Sequence, residues 1–139
     1  MQKMDYIYIL TQQVIMDYYD NSLSEFLKGK SPHVLELFNH FVSSYHQIGD
    51  IKLCATKTMI VFSSRINFAY IIQFGKNFID VVFPFKQPYE DNMCFQKIKL
   101  VPGSDDYNHH LRIYYKEDIN DEVLMYMSMA LKNGNVKLC

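Results

Sequence analysis

The sequence predicts an α+β fold: an antiparallel sheet of about five strands with helices on one face, in the order α-α-β-β-β-β-β-α. Three observations predict it. Val34, Leu37, Phe38, Phe41, Val42, Tyr45 and Ile48 recur at three- and four-residue spacing, the stripe of an amphipathic helix. From Ile51 onward the texture changes to short runs rich in Val, Ile, Phe, Tyr and Thr. The gaps between these runs are of hairpin length, shorter than the roughly dozen residues that a parallel crossover needs.

Each element has its own signals. Ser22 with Glu25 three residues on has capping-box spacing, Leu23, Phe26 and Leu27 give that first helix an apolar face, and Gly29 ends it. Ser31-Pro32 opens the second helix, serine as cap and proline in the first turn, and Gly49 stops it. The five strand runs are Ile51–Ser63, Asn67–Phe74, Phe78–Phe85, Phe95–Val101 and His109–Lys116. Turn-forming stretches separate them, such as Gly75-Lys76-Asn77 and Pro102-Gly103-Ser104. Asp118 or Asn120 caps a last helix lined by Val123, Leu124, Met127, Ala130 and Leu131, with Asn133-Gly134 at its end. Within residues 1–20, Ile7, Leu10, Val14, Ile15 and Tyr18 fit a helical stripe, so this extension is predicted helical, although Tyr6–Leu10 alone also suits a strand.

The chain has 139 residues, 49% of them hydrophobic and 21% charged, with ten Phe and eleven Tyr. That supports one core, hence a single domain over residues 1–139, and excludes a disordered chain. No run approaches the about 18 consecutive apolar residues of a membrane span, and Met1–Leu10 lacks the features of a signal peptide. A soluble, cytoplasmic protein is therefore expected. Cys54, Cys94 and Cys139 are odd in number and widely spaced, which argues against a disulfide framework or closed zinc site. Cys54 and Cys94 sit in apolar runs and are read as inert packing residues, and Cys139 as an exposed terminal thiol.

Sequence signatures of catalysis are missing. Five glycines do not cluster into a phosphate-binding loop, and there is no GxSxG, HExxH or paired-carboxylate signature. No cofactor and no metal are expected. His109 and His110 are adjacent in a strand, point to opposite faces and cannot readily share an ion. A single inward histidine bonded to backbone or to an Asp is the expected arrangement. His33, His40 and His46, in or near the second helix, read as surface residues.

Charge is uneven. Residues 51–100 carry seven Lys or Arg against three acids, a net +4, while the remainder carries −5. A basic, aromatic sheet face can hold single-stranded nucleic acid, with cations along the phosphates and rings on the bases. The alternative is that these charges solubilise strand edges and the rings are core. Lys57, read as part of one alternating strand, shares a row with Leu53, Ala55, Met59 and Val61; it either snorkels to solvent or lines an anion pocket. Asp80, opposite Ile79, Val81 and Phe83, is expected to be exposed or to pair with Lys57 or Arg65 across the sheet.

Several short stretches together resemble a known family. Phe26-Leu27-Lys28-Gly29-Lys30, Thr56-Lys57-Thr58-Met59-Ile60-Val61-Phe62, Arg65-Ile66-Asn67-Phe68-Ala69, His109-His110-Leu111-Arg112-Ile113 and Glu117-Asp118-Ile119-Asn120-Asp121-Glu122-Val123 resemble an uncharacterised bacterial and archaeal domain family labelled "predicted transport protein". The resemblance covers about residues 22–132. Family members often have a Trp just before the His strand, where this chain has Tyr107. The resemblance implies an α+β domain in which Lys57, Thr58, Arg65, Phe68 and His109 occupy the recurrent polar and aromatic positions. Fusion of some members to nuclease-like domains implies an accessory or binding module, and no activity carries over.

The sequence thus leads to a non-enzymatic binding module, with nucleic acid or a protein that processes it as partner. Lys57 and Arg65 would supply charge, Thr58 a further polar group, Phe68 and Tyr70 a stacking wall, and His109 an orienting hydrogen bond. The alternatives are a small hydrolase or transferase that uses His109 and Lys57 on an anionic ligand, and a self-associating module that forms a homodimer through an uncovered sheet face or through its N-terminal helix.

Overall fold

In the first turn of the longest helix among the described residues, proline costs nothing and serine contributes. The N–H that Pro32 lacks has no helical partner there, and Ser31 Oγ accepts from Val34 N–H at 3.2 Å. The same hydroxyl donates to the Lys76 carbonyl at 3.1 Å, which ties the helix to a turn of the sheet. The computed structural model describes residues 21–135; the predicted N-terminal helix within residues 1–20 and Cys139 lie outside the described residues.

Among the described residues, three α-helices flank the strands: α1 (Asn21–Leu27), α2 (Pro32–Ile48) and α3 (Asp121–Gly134). Between α2 and α3 come β1 (Lys52–Ala55), β2 (Ile60–Ser63), β3 (Asn67–Phe74), β4 (Ile79–Phe85), β5 (Phe95–Leu100) and β6 (Tyr107–Ile113), then a 3₁₀ turn at Lys116–Asp118. The class is α+β as predicted, but with six strands rather than five. The run Ile51–Ser63 is a hairpin, not one strand. Thr56 makes its turn: the Thr56 hydroxyl accepts from the N–H of Met59 at 3.1 Å, and Thr56 N–H donates to the Met59 carbonyl at 2.9 Å.

All neighbouring strands pair antiparallel, in the order β1-β2-β3-β4-β6-β5. The alternation of each strand sends one set of side chains to the helices. Phe41 of α2 meets Phe62 at 5.3 Å between ring centroids, Phe26 of α1 meets Phe74 at 5.5 Å, and Tyr126 of α3 meets Phe95 at 4.7 Å. Ile60, Ile71, Ile79, Val81, Phe83 and Ile113 are fully buried with them. Each such side chain contributes about 1.5–3 kcal/mol when removed from water, so the aromatic seam holds the helices to this face. Tyr45 Oη donates to the Met127 carbonyl at 2.9 Å and links α2 to α3 inside the core.

The opposite face meets no helix among the described residues. One row of side chains crosses it through all six strands: Cys54, Val61, Tyr70, Val82, His110 and Lys97 are successive cross-strand partners. At a strand spacing of about 4.8 Å, the row is about 24 Å long.

Candidate binding face

β6 determines the chemistry of this face because its residues alternate between two environments. His109 and Leu111 point to the helices, and His110 and Arg112 to the open side. β5 lies at the edge beside β6 and adds Lys97 opposite His110 and Lys99 opposite Asn108. Both lysines are exposed, and neither forms an ion pair with any described residue. Partial burial, then the positive charge of Lys97, holds the His110 pKa below the usual histidine range, partly opposed by Asp80.

Asp80 does not pair with Lys57 or Arg65. Its partner is Arg112, directly across the β4–β6 ladder, in a two-pronged contact at 2.7 and 2.9 Å. The Arg112 guanidinium also lies 4.0 Å from the Phe78 ring centre. That corner is internally neutralised, as is Lys86, which bridges Asp105 at 3.1 Å and Asp106 at 2.8 Å. Uncompensated charge of the open face therefore stands on Lys97 and Lys99 at the β5 edge, with His110 between them and the apolar centre of Val82 and Tyr70, and on exposed Lys52 at the opposite, β1 edge.

The six residues singled out in the sequence do not converge. Lys57 and Thr58 lie exposed in the β1–β2 turn, so Lys57 shares no strand row with Leu53 and Val61. Arg65 is exposed in the β2–β3 turn at the other end of the sheet, its N–H donating to the Gly134 carbonyl at 2.9 Å. Phe68 and Tyr70 form no common wall. A bulge after Phe62 leaves Phe68 as the extra residue of β3, turned into the core 5.4 Å from the Tyr45 ring centre. Tyr70 stays on the open face, half-buried between Val61 and Val82.

His109 is fully buried between Phe85 and Phe95, with ring centroids 4.9 and 5.0 Å away. Its Nε2 accepts from Tyr89 N–H at 3.0 Å, so the ring proton is on Nδ1 and donates to the Tyr107 carbonyl at 2.8 Å. Burial lowers its pKa, with the Tyr107 bond opposing. This is the inward, backbone-bonded histidine the sequence predicts. Both nitrogens are occupied, and β3 and β4 lie between β6 and the β1–β2 hairpin whose turn carries Lys57, so the pair forms no catalytic constellation.

Other side chains also differ in their fit to expectation. Cys54 is exposed on the open face rather than packed, whereas Cys94 is half-buried and packs against the core as expected. His33 is at the surface, but His40 and His46 are half-buried. Lys97, Lys99 and His110 were not singled out as site residues, although two lysines at i and i+2 in a strand share a face and the outward member of His109-His110 is the one left accessible. Among the described residues, no group of three or more His, Cys, Asp or Glu could hold a metal ion, and no helix is long and apolar enough to cross a membrane.

A family model described as "Domain of unknown function (DUF5655)" matches residues 23–133. No curated protein and no solved structure matches the chain. The match takes in α2, all six strands and nearly all of α1 and α3, the whole frame of the open face. The chain belongs to the DUF5655 family of domains of unknown function.

Proposed function

We propose that this chain is a non-enzymatic binding module whose open sheet face takes single-stranded nucleic acid. One observation carries the reading: Lys97 and Lys99, unpaired by any described acid, stand on the same face as His110 and the ring of Tyr70. Lysines neutralise phosphates and release counterions, and an aromatic ring accepts a base whatever its identity. Tyr70 and Lys97 belong to one row, with Lys99 beside it, so one strand of nucleic acid laid across the sheet reaches both kinds of group. The net +4 of residues 51–100 adds long-range attraction to the same part of the chain. The transport label plays no part in this proposal.

The test is fluorescence anisotropy with a labelled single-stranded oligonucleotide across a salt series. Expected is an affinity that falls linearly in log salt, with a slope of about 0.7 for each phosphate that a cation neutralises. Lys97→Ala with Lys99→Ala should flatten the slope and weaken binding of every sequence alike. Tyr70→Ala should cost about 1–3 kcal/mol of stacking. Absence of binding at low salt, or an affinity indifferent to salt, would sink the reading.

A further inference from the structure

Residues 86–94 join β4 to β5; beyond the Lys86 bridges to Asp105 and Asp106, two backbone amides tie the stretch to the rest of the molecule. Near one end, Tyr89 N–H donates to His109 Nε2 at 3.0 Å. Near the other, Met93 N–H donates to Glu122 Oε2 at 3.0 Å. Asn92 stiffens the stretch between them: its Nδ2 donates to the Tyr89 carbonyl at 2.7 Å, and its Oδ1 accepts from the N–H groups of Cys94 and Phe95 at 3.1 and 2.7 Å. The Tyr89 ring closes over Phe85, His109 and Tyr126, with centroids 5.3, 5.7 and 5.8 Å away.

Only a neutral imidazole can accept at Nε2. Protonation would put an N–H on that nitrogen, facing the N–H of Tyr89. It would also leave a charge with no access to water, because His109 is fully buried. Moving residues 86–94 away removes both penalties at once. We propose that neutral His109 is a latch that holds residues 86–94 on the sheet, and that proton uptake by His109 releases this connection while the rest of the sheet stays paired.

The surroundings offer the cation no counter-charge on the ring. From β4, Phe83 and Phe85 present uncharged rings, and the Phe83 backbone, like that of Tyr107, favours the charged imidazole without outweighing burial; from β5, Phe95 and Ile98 are apolar, while Lys97 and Lys99 are on the other face. α3 brings Tyr126 and Glu122, and the connection itself brings Tyr89, Glu90, Asp91 and Cys94. Neither ring nitrogen bonds any of these carboxylates; their partners are Tyr89 N–H and the Tyr107 carbonyl. Tyr126 and Cys94 stay neutral through the acidic range, since burial raises both. On β6 itself, His110 titrates on the opposite face.

The sign follows from the lowered pKa of the closed state. An opened His109 regains an ordinary value of about 6.5, so the open form binds more protons between that value and the closed one. Closure is therefore fully favoured above about pH 6.5 and weakens as pH falls through that window. The latch is on the helix side of the sheet and does not depend on the binding proposal.

The test is amide hydrogen exchange on the intact chain from pH 7.5 to 5, corrected for intrinsic exchange, with the His109 ring followed by NMR in the same samples. One coupled proton predicts that protection of the Tyr89 amide drops about tenfold per pH unit below pH 6.5. Protection of Ala69 and Ile71 in β3 should not change. His109→Gln, whose side-chain oxygen accepts a hydrogen bond but takes no proton in this range, should abolish the dependence. If that variant fails to fold, the wild-type chain still decides. Loss of Tyr89 protection at the midpoint of His109 titration supports the latch. Protection that ignores that midpoint, or is lost uniformly across the sheet, overturns it.

Discussion

Gly134 is glycine because Phe68 fills the space beside it: a Cβ on Gly134 would stand 2.6 Å from Phe68 Cδ1. This contact closes α3 against the β2–β3 turn. The Gly134 carbonyl accepts from the N–H groups of Arg65 and Ile66 at 2.9 and 3.0 Å, which requires the helix end to come close to the turn. The bulge that turns Phe68 inward and the missing side chain of Gly134 are thus two halves of one fit.

Gly134→Ala should destabilise the protein even though alanine favours helix by about 1 kcal/mol. Forcing a methyl group into a packed site costs about 1–3 kcal/mol, and the ring of Phe68, pinned against Tyr45, has little room to yield. A lowered urea midpoint is expected, and Phe68→Leu in the same background should recover part of it. An unchanged or raised midpoint would mean that the ring moves freely.

Cys54 and Cys94 should differ sharply as nucleophiles. Burial pushes the Cys94 thiol up to about 12, and the neighbouring Glu122 carboxylate adds to the effect. At pH 8 such a thiol holds very little thiolate, the reactive form. Cys54 is exposed on the open face. Brief treatment with a maleimide followed by peptide mapping should show Cys54 labelled and Cys94 unlabelled until the chain is unfolded. Equal labelling of both in the folded protein would contradict the packing of the β4–β5 connection.

The frame was legible in the sequence where signals are local. Ser31-Pro32 and the apolar stripe mark α2, and Asn67–Phe74 has the same bounds in sequence and structure, because periodicity and turn residues act within a few positions. The β1–β2 hairpin was hidden because its turn, Thr56-Lys57-Thr58-Met59, has no Gly, Pro, Asn or Asp and contains two β-branched threonines that also favour strands. A 13-residue strand exceeds the usual length of about 3–10 residues, the one available warning. The error propagates: with Lys57 placed in a strand, an interior lysine and a pocket follow. The partner of Asp80 depends on strand order, which pairs β4 with β6 rather than with β5. The bulge that separates Phe68 from Tyr70 leaves no mark in residue type. The open face needs both facts, so its residues were visible singly and not as a group.

The pair of Asp80 and Arg112 should matter more than the pair of Lys86 and Asp105. Arg112 makes two bonds to a half-buried carboxylate and covers the Phe78 ring, whereas Lys86 and Asp105 are both largely exposed. Lysine cannot reproduce the two-pronged contact. Arg112→Lys should therefore lower the urea midpoint, while Lys86→Ala leaves it within error. The reverse ranking would show that the open-face corner is held by something other than this pair.

Binding at the open face should strengthen as the solution is made more acidic. His110 stands opposite Lys97, and burial together with the lysine charge holds its pKa below the usual histidine value, so it is neutral at pH 7. A polyanion seated on Lys97 and Lys99 favours the protonated ring, since a phosphate beside it replaces repulsion with attraction. Proton uptake is then coupled to binding, and oligonucleotide affinity should rise as pH falls from 7.5 through 6.5 toward 5.5. The rise should be greatest at low salt, where these charges are least screened. His110→Asn should remove it and leave affinity at pH 7.5 nearly unchanged, whereas His109→Gln, on the other face, should leave the rise in place. Anisotropy titrations of the three proteins at matched ionic strength decide the matter. An affinity that is flat with pH in the wild-type chain would separate His110 from the bound anion and confine the contact to the lysines.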